Sequence, residues 1–273
     1  MNKPRDFGRE MDYLDASTQT ELEAVATVLQ VVQDRARTCG IDIMLVGAAA
    51  RDILIRNVVG SPPQRATRDV DIAVAVNSWS EVECLTSSMD PTRGGTHTFL
   101  VLGIEVDVIP FGGIESGDRT ITWPNDHEMD VSGFAEALRS AVRVKLPGDI
   151  TVPVASLAAQ SLLKLLAWRD RHSQSTKDAI DLRSIIHAYS QGPYFDQLYD
   201  AHQNYLIQHD YDPILAGASR MGYEARELIA ENTREKIRAL LNEEDFRERL
   251  AADMGGLSQT NLELVNAYRA GYG

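Results

Sequence analysis

Cysteine is scarce. Only Cys39 and Cys84 occur in 273 residues, at a spacing that matches no metal-binding or redox motif. The sequence alone reads them as free thiols of a reducing compartment and excludes a small disulfide scaffold. Long apolar runs are also missing. None approaches the ~20 residues that a membrane helix needs. Met1 to Asp15 is polar and lacks the apolar core of a secretion signal. The expectation is therefore a soluble cytoplasmic protein with no membrane partner. There is no internal repeat and no low-complexity tract. Positive charge is in deficit: 27 Lys and Arg against 40 Asp and Glu leave a formal charge of -13. That balance opposes a general nucleic-acid coat or a binder of anionic membranes, since both need positive fields. A local basic groove remains compatible with it. What is present is material for a core. An apolar content of 44% supports folding, and the length suggests two compact units or one large one.

Thr18 and Glu21 have capping-box spacing, and Leu22, Val25, Ala26, Leu29 and Val32 then recur at helical intervals up to Gly40. Ile41 to Val46 reads as a buried strand. Gly47 breaks it, and Ala48 to Arg56 reads as a helix. Val58 to Ala66, with Gly60, Pro62 and Pro63, reads as a loop. Asp69 to Val76 (DVDIAVAV) reads as a strand and Trp79 to Met89 as a helix. Pro91 to Gly95 is a predicted turn. Thr96 to Val101 and Ile104 to Phe111 read as strands of a hairpin through Leu102-Gly103. From about Pro153 the pattern turns helical. One helix holds Leu157 to Trp168 and a second holds Ile180 to Ile186. Further helices are expected over Leu198 to Ile207, Ala225 to Leu241 and Leu262 to Tyr268. The division is an N-terminal helical segment (1–40), an α/β core (41–150) and a helical C-terminal domain (151–273). Helices alternating with strands in the core imply a mixed sheet.

Charge is distributed unevenly. Residues 102–138 carry one Arg against eight acids, and residues 139–183 carry eight basic residues against four acids. Such a sequence of acidic hairpin and basic stretch suits a site for metal and triphosphate.

Asp69-Val70-Asp71 is the centre of the chemistry. Strand side chains alternate, so both carboxylates share one face, with α-carbons ~6.6 Å apart. They repel by ~2.5 kcal/mol at an effective dielectric of 20. A divalent cation would offset that cost, and hard carboxylate oxygens suit magnesium or manganese. A solvent-facing edge strand is the plainer explanation. Asp210-Tyr211-Asp212 has the same spacing but sits in a polar stretch before Pro213, and reads as a solvated turn. Three features set the first pair apart. Gly47 to Asp52 (GAAARD) places a glycine between strand and helix, where free backbone N–H groups attract phosphate. Glu105-Val106-Asp107 is another acidic pair sharing a strand face, and Asp107 joins Asp69 and Asp71 if the strands are neighbours. Lys164 lies within SLLKLLAWRDR, ahead of Asp178 and Asp181 in KDAIDL. Each has an ordinary alternative: a plain turn, an exposed hairpin face, a snorkelling lysine, and a helix cap formed by Ser175 and Asp178. Arg169 or Arg171 could form surface ion pairs with these acids.

The order of motifs resembles the nucleotidyltransferase superfamily, and more narrowly the AbiEii/AbiGii-type toxin family that includes the MenT-like enzymes. The matching residues are Gly47, Arg65, Thr67, Arg68, Asp69, Asp71, Asp107, Lys164, Asp178 and Asp181, within about residues 43–187. The superfamily usually has Gly-Gly or Gly-Ser at the turn. Here Ala48 follows Gly47, so backbone N–H groups must replace a serine hydroxyl. The resemblance implies a mixed-sheet, polymerase-beta-like α/β fold followed by a helical domain. It implies a two-metal transfer of NMP from an NTP to an acceptor hydroxyl with release of pyrophosphate, with Mg2+ or Mn2+ as cofactor. Asp69 and Asp71 would hold the metals, and Asp107 would hold one of them or act as base. Gly47 and Ala48 would cradle phosphate. Lys164, and Arg68 as a weaker candidate, would offset phosphate charge. Asp178 would orient Lys164 or contact nucleotide, while Asp181 would brace its helix. The acceptor the family suggests is a tRNA 3′ end, in a groove lined from residues 139–183, with an antitoxin encoded nearby as partner. A second reading keeps the chemistry and takes a small antibiotic-like molecule or a protein hydroxyl as acceptor. A third is an inactive nucleotide-binding regulatory module.

Overall fold

The structure, a computed structural model, describes residues 13–60, 69–92 and 97–273. Arg65, Thr67 and Arg68, with most of the predicted loop before Asp69, lie outside the described residues, as does part of the predicted turn after Pro91. Residues 13–53, 69–92 and 97–156 form one compact unit. Residues 54–60 and 157–273 form a second.

The first unit is built on a mixed eight-stranded sheet. Along the chain it holds β1 (Tyr13–Asp15), α1 (Glu23–Cys39), β2 (Asp42–Val46), α2 (Gly47–Leu54, whose last residue passes to the second unit), β3 (Asp69–Val76) and α3 (Trp79–Thr86). Then come β4 (Asp90–Pro91), β5 (Thr98–Val101), β6 (Ile104–Gly112), β7 (Thr120–Thr122), β8 (Glu128–Asp130), α4 (Phe134–Arg139), β9 (Val142–Lys145) and β10 (Thr151–Val154). The sheet order is β1-β9-β10-β2-β3-β6-β5-β4, and β7 pairs with β8 separately. β3 runs antiparallel to β2 and parallel to β6. The alternation of β3 explains its central place. Val70, Ile72, Val74 and Val76 are all at most 1% exposed, so one face is wholly buried. On the other face Asp69 is exposed and Asp71 half-buried. The β5–β6 hairpin turns through Leu102 and Gly103, both at positive φ (53° and 79°). That is the twist-matched two-residue turn such a hairpin favours.

Several expectations change. Cys39 and Cys84 are not free thiols but a disulfide. The bridge joins the C-terminal residue of α1 to α3, with α-carbons 6.1 Å apart, inside the range a disulfide spans. With no free thiol at either position, the cysteines no longer point to a reducing compartment. The Thr18–Glu21 spacing makes no capping box. A 3-10 turn (Thr20–Leu22) precedes α1, and neither helical segment has a side-chain cap at its N-terminus. β9 and β10 are strands where the sequence suggested none. The predicted loop begins later than expected, because Ile55–Val59 continues α2 as a π-helical turn that ends at Gly60.

The second unit is helical: α5 (Leu157–Arg171), α6 (Lys177–Ala188), α7 (Gly192–Asp200), α8 (Gln203–Gln208), α9 (Pro213–Leu228), α10 (Glu231–Asn242), α11 (Glu244–Asp253) and α12 (Ser258–Tyr272). The predicted helix over Leu198–Ile207 is interrupted at Ala201-His202, and the one over Ala225–Leu241 is two helices meeting near Ile229. α9 approaches α12 at glycines. A Cβ on Gly222 would collide with the Tyr268 carbonyl, and one on Gly271 with the Ser219 carbonyl. Trp168 Nε1 donates to Asp253 (2.8 Å), tying α5 to α11. No helix among the described residues is long and apolar enough to cross a membrane. The mixed sheet with a helical second unit is the architecture the sequence led us to expect.

Candidate active site

Strand pairing places the acids. In the parallel β3–β6 ladder Asp71 stands opposite Asp107, and Asp69 opposite Glu105. Residues opposite one another in a ladder point to the same face, with strands ~4.8 Å apart. Two rungs of carboxylate therefore face carboxylate at the start of β3. Like charges directly opposite are destabilising, so this arrangement is not one that packing alone would select.

Gly47 follows directly on Val46, the β2 residue opposite Asp71. Its φ is +68°, a conformation that costs other residues ~1–2 kcal/mol. A Cβ there would also collide with the Asp71 carboxylate. The glycine is thus required twice, by its backbone and by the space it leaves. Only the turn was apparent from sequence. Ala48 lies in the first turn of α2. Further along that helix, the buried Arg51 forms an ion pair with Asp52 (2.6 Å).

Thr98 was missed. It stands opposite Asp107 across the β5–β6 hairpin, and its hydroxyl donates to Asp107 Oδ1 at 2.6 Å. The signal was available: a two-residue loop at Leu102-Gly103 pairs 101 with 104, and counting back pairs 98 with 107.

The acidic hairpin region keeps its charge. Its one arginine, Arg119, is taken up by Glu115 and by the buried Glu136. The basic stretch after it is less free than its composition suggests. Arg139 pairs with Glu136, Lys145 with Asp149, and Arg169 with Asp170. These residues also divide between the two units.

The second unit holds the remaining predicted residues. Lys164 on α5 forms ion pairs with Asp178 and Asp181 on α6, each at 2.9 Å. Arg171 reaches Asp178 as well, with Nε at 2.5 Å and Nη2 at 2.9 Å. Asp178 is buried, and burial alone would raise its pKa. The Arg171 hydrogen bond and the Lys164 charge outweigh that and hold it below the usual carboxylate range. The capping explanation for Asp178 does not hold, since α6 has no side-chain cap and the carboxylate is bound to cations. Asp212 does act as a cap, accepting from the Ile214 and Leu215 N–H groups at the start of α9. Of the second Asp-x-Asp pair, Asp212 is therefore a helix cap.

Asp69, Asp71 and Asp107 offer hard oxygens on one sheet face, beside a cradle that a Cβ would fill, and this donor chemistry fits magnesium or manganese. As they stand, no three of His, Cys, Asp or Glu among the described residues are gathered close enough to hold an ion. The fit is one of donor type and register.

Among solved structures, the chain is similar to the antibiotic-resistance factor ANT(2'')-Ia. The identity is 11%, with TM-scores of 0.37 in its solution structure (68% of this chain, 98% of that one) and 0.40 in its complex with adenylyl-2''-tobramycin (69% and 97%). It is also similar to the Thermotoga maritima CCA-adding enzyme complexed with tRNA, at 11% identity and a TM-score of 0.26, covering 90% of this chain and 69% of that one. At these values the likenesses carry no argument about this protein. No curated protein matches the sequence. The model of one family does match, over residues 45–269, described as nucleotidyl transferase AbiEii toxin of type IV toxin–antitoxin systems. The match starts at the end of the strand leading into Gly47, takes in both acidic rungs and the Lys164 cluster, and ends in the last helix; the chain belongs to the AbiEii nucleotidyl transferase toxin family.

Proposed function

We propose that this protein transfers NMP from an NTP to an acceptor hydroxyl, releasing pyrophosphate, and that the acceptor is RNA at a tRNA 3′ end. The observation that carries the chemistry is the pairing of Asp71 with Asp107 beside Gly47. In the transfer, a bond forms between the acceptor oxygen and the α-phosphorus. The bond from that phosphorus to the pyrophosphate oxygen breaks, and the acceptor proton leaves. Asp69 and Asp71 would hold magnesium or manganese. When bound, the ion supplies positive charge to the triphosphate and makes the acceptor hydroxyl more acidic. Asp107 shares in holding the ion or takes the proton. The N–H groups of Gly47 and Ala48 receive phosphate oxygens. Lys164 keeps its assignment as the group that offsets phosphate charge from the resemblance alone, and its 2.9 Å contact with Asp178 supports Asp178 as the group that orients it. Arg68 keeps its assignment as a weaker phosphate contact from the sequence alone. The toxin family supports RNA as the acceptor, a cytoplasmic target and an antitoxin encoded nearby.

A second acceptor class is favoured by one observation. The hairpin region 102–138 carries eight acids and one Arg, which is already paired, and this suits a cationic small molecule. Mass spectrometry of total RNA, protein and an aminoglycoside panel, after incubation with all four NTPs and magnesium, separates the cases. An added nucleotide on tRNA supports the proposal. Modification of the small molecule alone replaces the acceptor, and no added mass anywhere overturns the transfer.

A further inference from the structure

The β5–β6 ladder carries information that the two acidic rungs do not. The Val108 N–H donates to the His97 carbonyl at 2.8 Å, which makes the adjacent pair Thr98–Asp107 a non-hydrogen-bonded one. In such pairs the α-carbons approach to ~4.5 Å and the side chains lie closest. Thr98 uses that proximity: its hydroxyl donates to Asp107 Oδ1 at 2.6 Å, the one side-chain hydrogen bond Asp107 makes among the described residues. Thr98 is itself fixed from the edge of the sheet. Its carbonyl accepts from both the N–H and the hydroxyl of Thr92, each at 3.1 Å. Threonine is stiff about χ1, so a held backbone holds the hydroxyl too. The other acid of β6 has no such partner, since Glu105 stands opposite Leu100.

We infer that Thr98 is a positioning residue. It occupies Asp107 Oδ1 and presents Oδ2 toward the face shared with Asp69 and Asp71. This rests on the nucleotidyl-transfer reading and adds to it the residue that orients the third carboxylate. Groups that hold a metal-binding carboxylate in place typically matter by ~10–100-fold in metal affinity or activity. A carboxylate fixed beforehand also has less rotational freedom to lose when it engages an ion.

The test uses the full chain and two variants. Thr98→Val removes the hydroxyl and keeps the branched shape, while Thr98→Ser keeps the hydroxyl. Mn2+ binding is followed by electron paramagnetic resonance, pyrophosphate release from the four NTPs with total RNA present as acceptor is followed in parallel, and thermal melts confirm folding. We expect T98V to bind Mn2+ and to turn over about tenfold less well than wild type. T98S should restore most of both, with the loss in turnover appearing in kcat more than in the KM for NTP. If wild type binds Mn2+ and turns over, and a folded T98V equals it, the Thr98 inference is wrong and the nucleotidyl-transfer reading stands. If T98S is as impaired as T98V, the hydroxyl is not the cause and the inference is also wrong. If wild type neither binds Mn2+ nor releases pyrophosphate, the underlying reading fails and takes the inference with it.

Discussion

Two clusters of acid occupy the two units, and they are arranged on opposite principles. In the first unit carboxylate stands opposite carboxylate along β3 and β6. In the second, Asp178 and Asp181 meet Lys164, and Asp178 also meets Arg171. The second arrangement satisfies its charges within the fold. The first sets carboxylate opposite carboxylate along a ladder, and it is this pairing that the proposed transfer would use. Asp210 and Asp212 make the same point from sequence. They repeat the spacing of Asp69 and Asp71, yet Asp212 finishes as a helix cap. Spacing selects candidates, and what stands opposite each acid separates them.

Substitutions should therefore differ between the two clusters in what they cost the fold. The largest effect is expected from Asp69→Asn. Transfer should fall by roughly a thousandfold. The melting temperature should change little, because Asp69 is exposed and faces Glu105, and surface changes of this kind usually stay within ~0.5 kcal/mol. Parallel activity assays and thermal melts check both halves. A large loss of stability would place Asp69 with the self-satisfied cluster.

Gly47→Ala comes next. It adds a Cβ against the Asp71 carboxylate at a positive φ. We expect about a hundredfold loss of turnover and a stability cost of about 1–2 kcal/mol, read by single-turnover kinetics and urea titration. Reducing the Cys39–Cys84 bridge should cost about 4 kcal/mol, because it releases a loop spanning 45 residues of sequence. Urea titrations with and without reductant measure this. The bridge braces only the first unit, so melting monitored in the second should move less.

Asp178→Asn gives the smaller effect, a stability loss of about 2 kcal/mol, modest for a buried pair because Arg171 is 56% exposed, together with a loss of turnover because Lys164 is released. Its pH dependence follows from the lowered pKa of Asp178. A depressed folded-state pKa stabilises above the unfolded carboxylate value of ~3.9 and loses that contribution as pH falls through the folded value. The gap between wild type and D178N should be constant from about pH 7 to 5 and close below about 4. Urea titrations across that range are the check. A gap that widened in acid would contradict the ion-pair account.

Much of the site was legible because it lies on strongly patterned strands. DVDIAVAV could be read as a strand from its alternation, and the Leu102-Gly103 turn fixed the hairpin register. Other features were hidden for physical reasons. β9 and β10 are four residues each, too short for a clear period, and β10 contains Pro153. Nothing local marks the disulfide, because its partners meet only when α1 lies against α3. The second role of Gly47 depends on a carboxylate 24 positions later, which only strand pairing brings near. α9 escaped a pattern-based reading because Gly217 and Gly222 replace the large apolar residues that such a reading counts. Those glycines allow close approach to neighbouring backbone and so leave little hydrophobic signature.

The proposed transfer depends on the paired carboxylates of β3 and β6. The most direct measurement is transfer of label from α-labelled NTPs to total RNA, in the presence of magnesium, by wild type and by the Asp69→Ala/Asp71→Ala variant. The account predicts labelled RNA with matching pyrophosphate release from wild type, and neither from a folded double variant. Equal labelling by both proteins would contradict it.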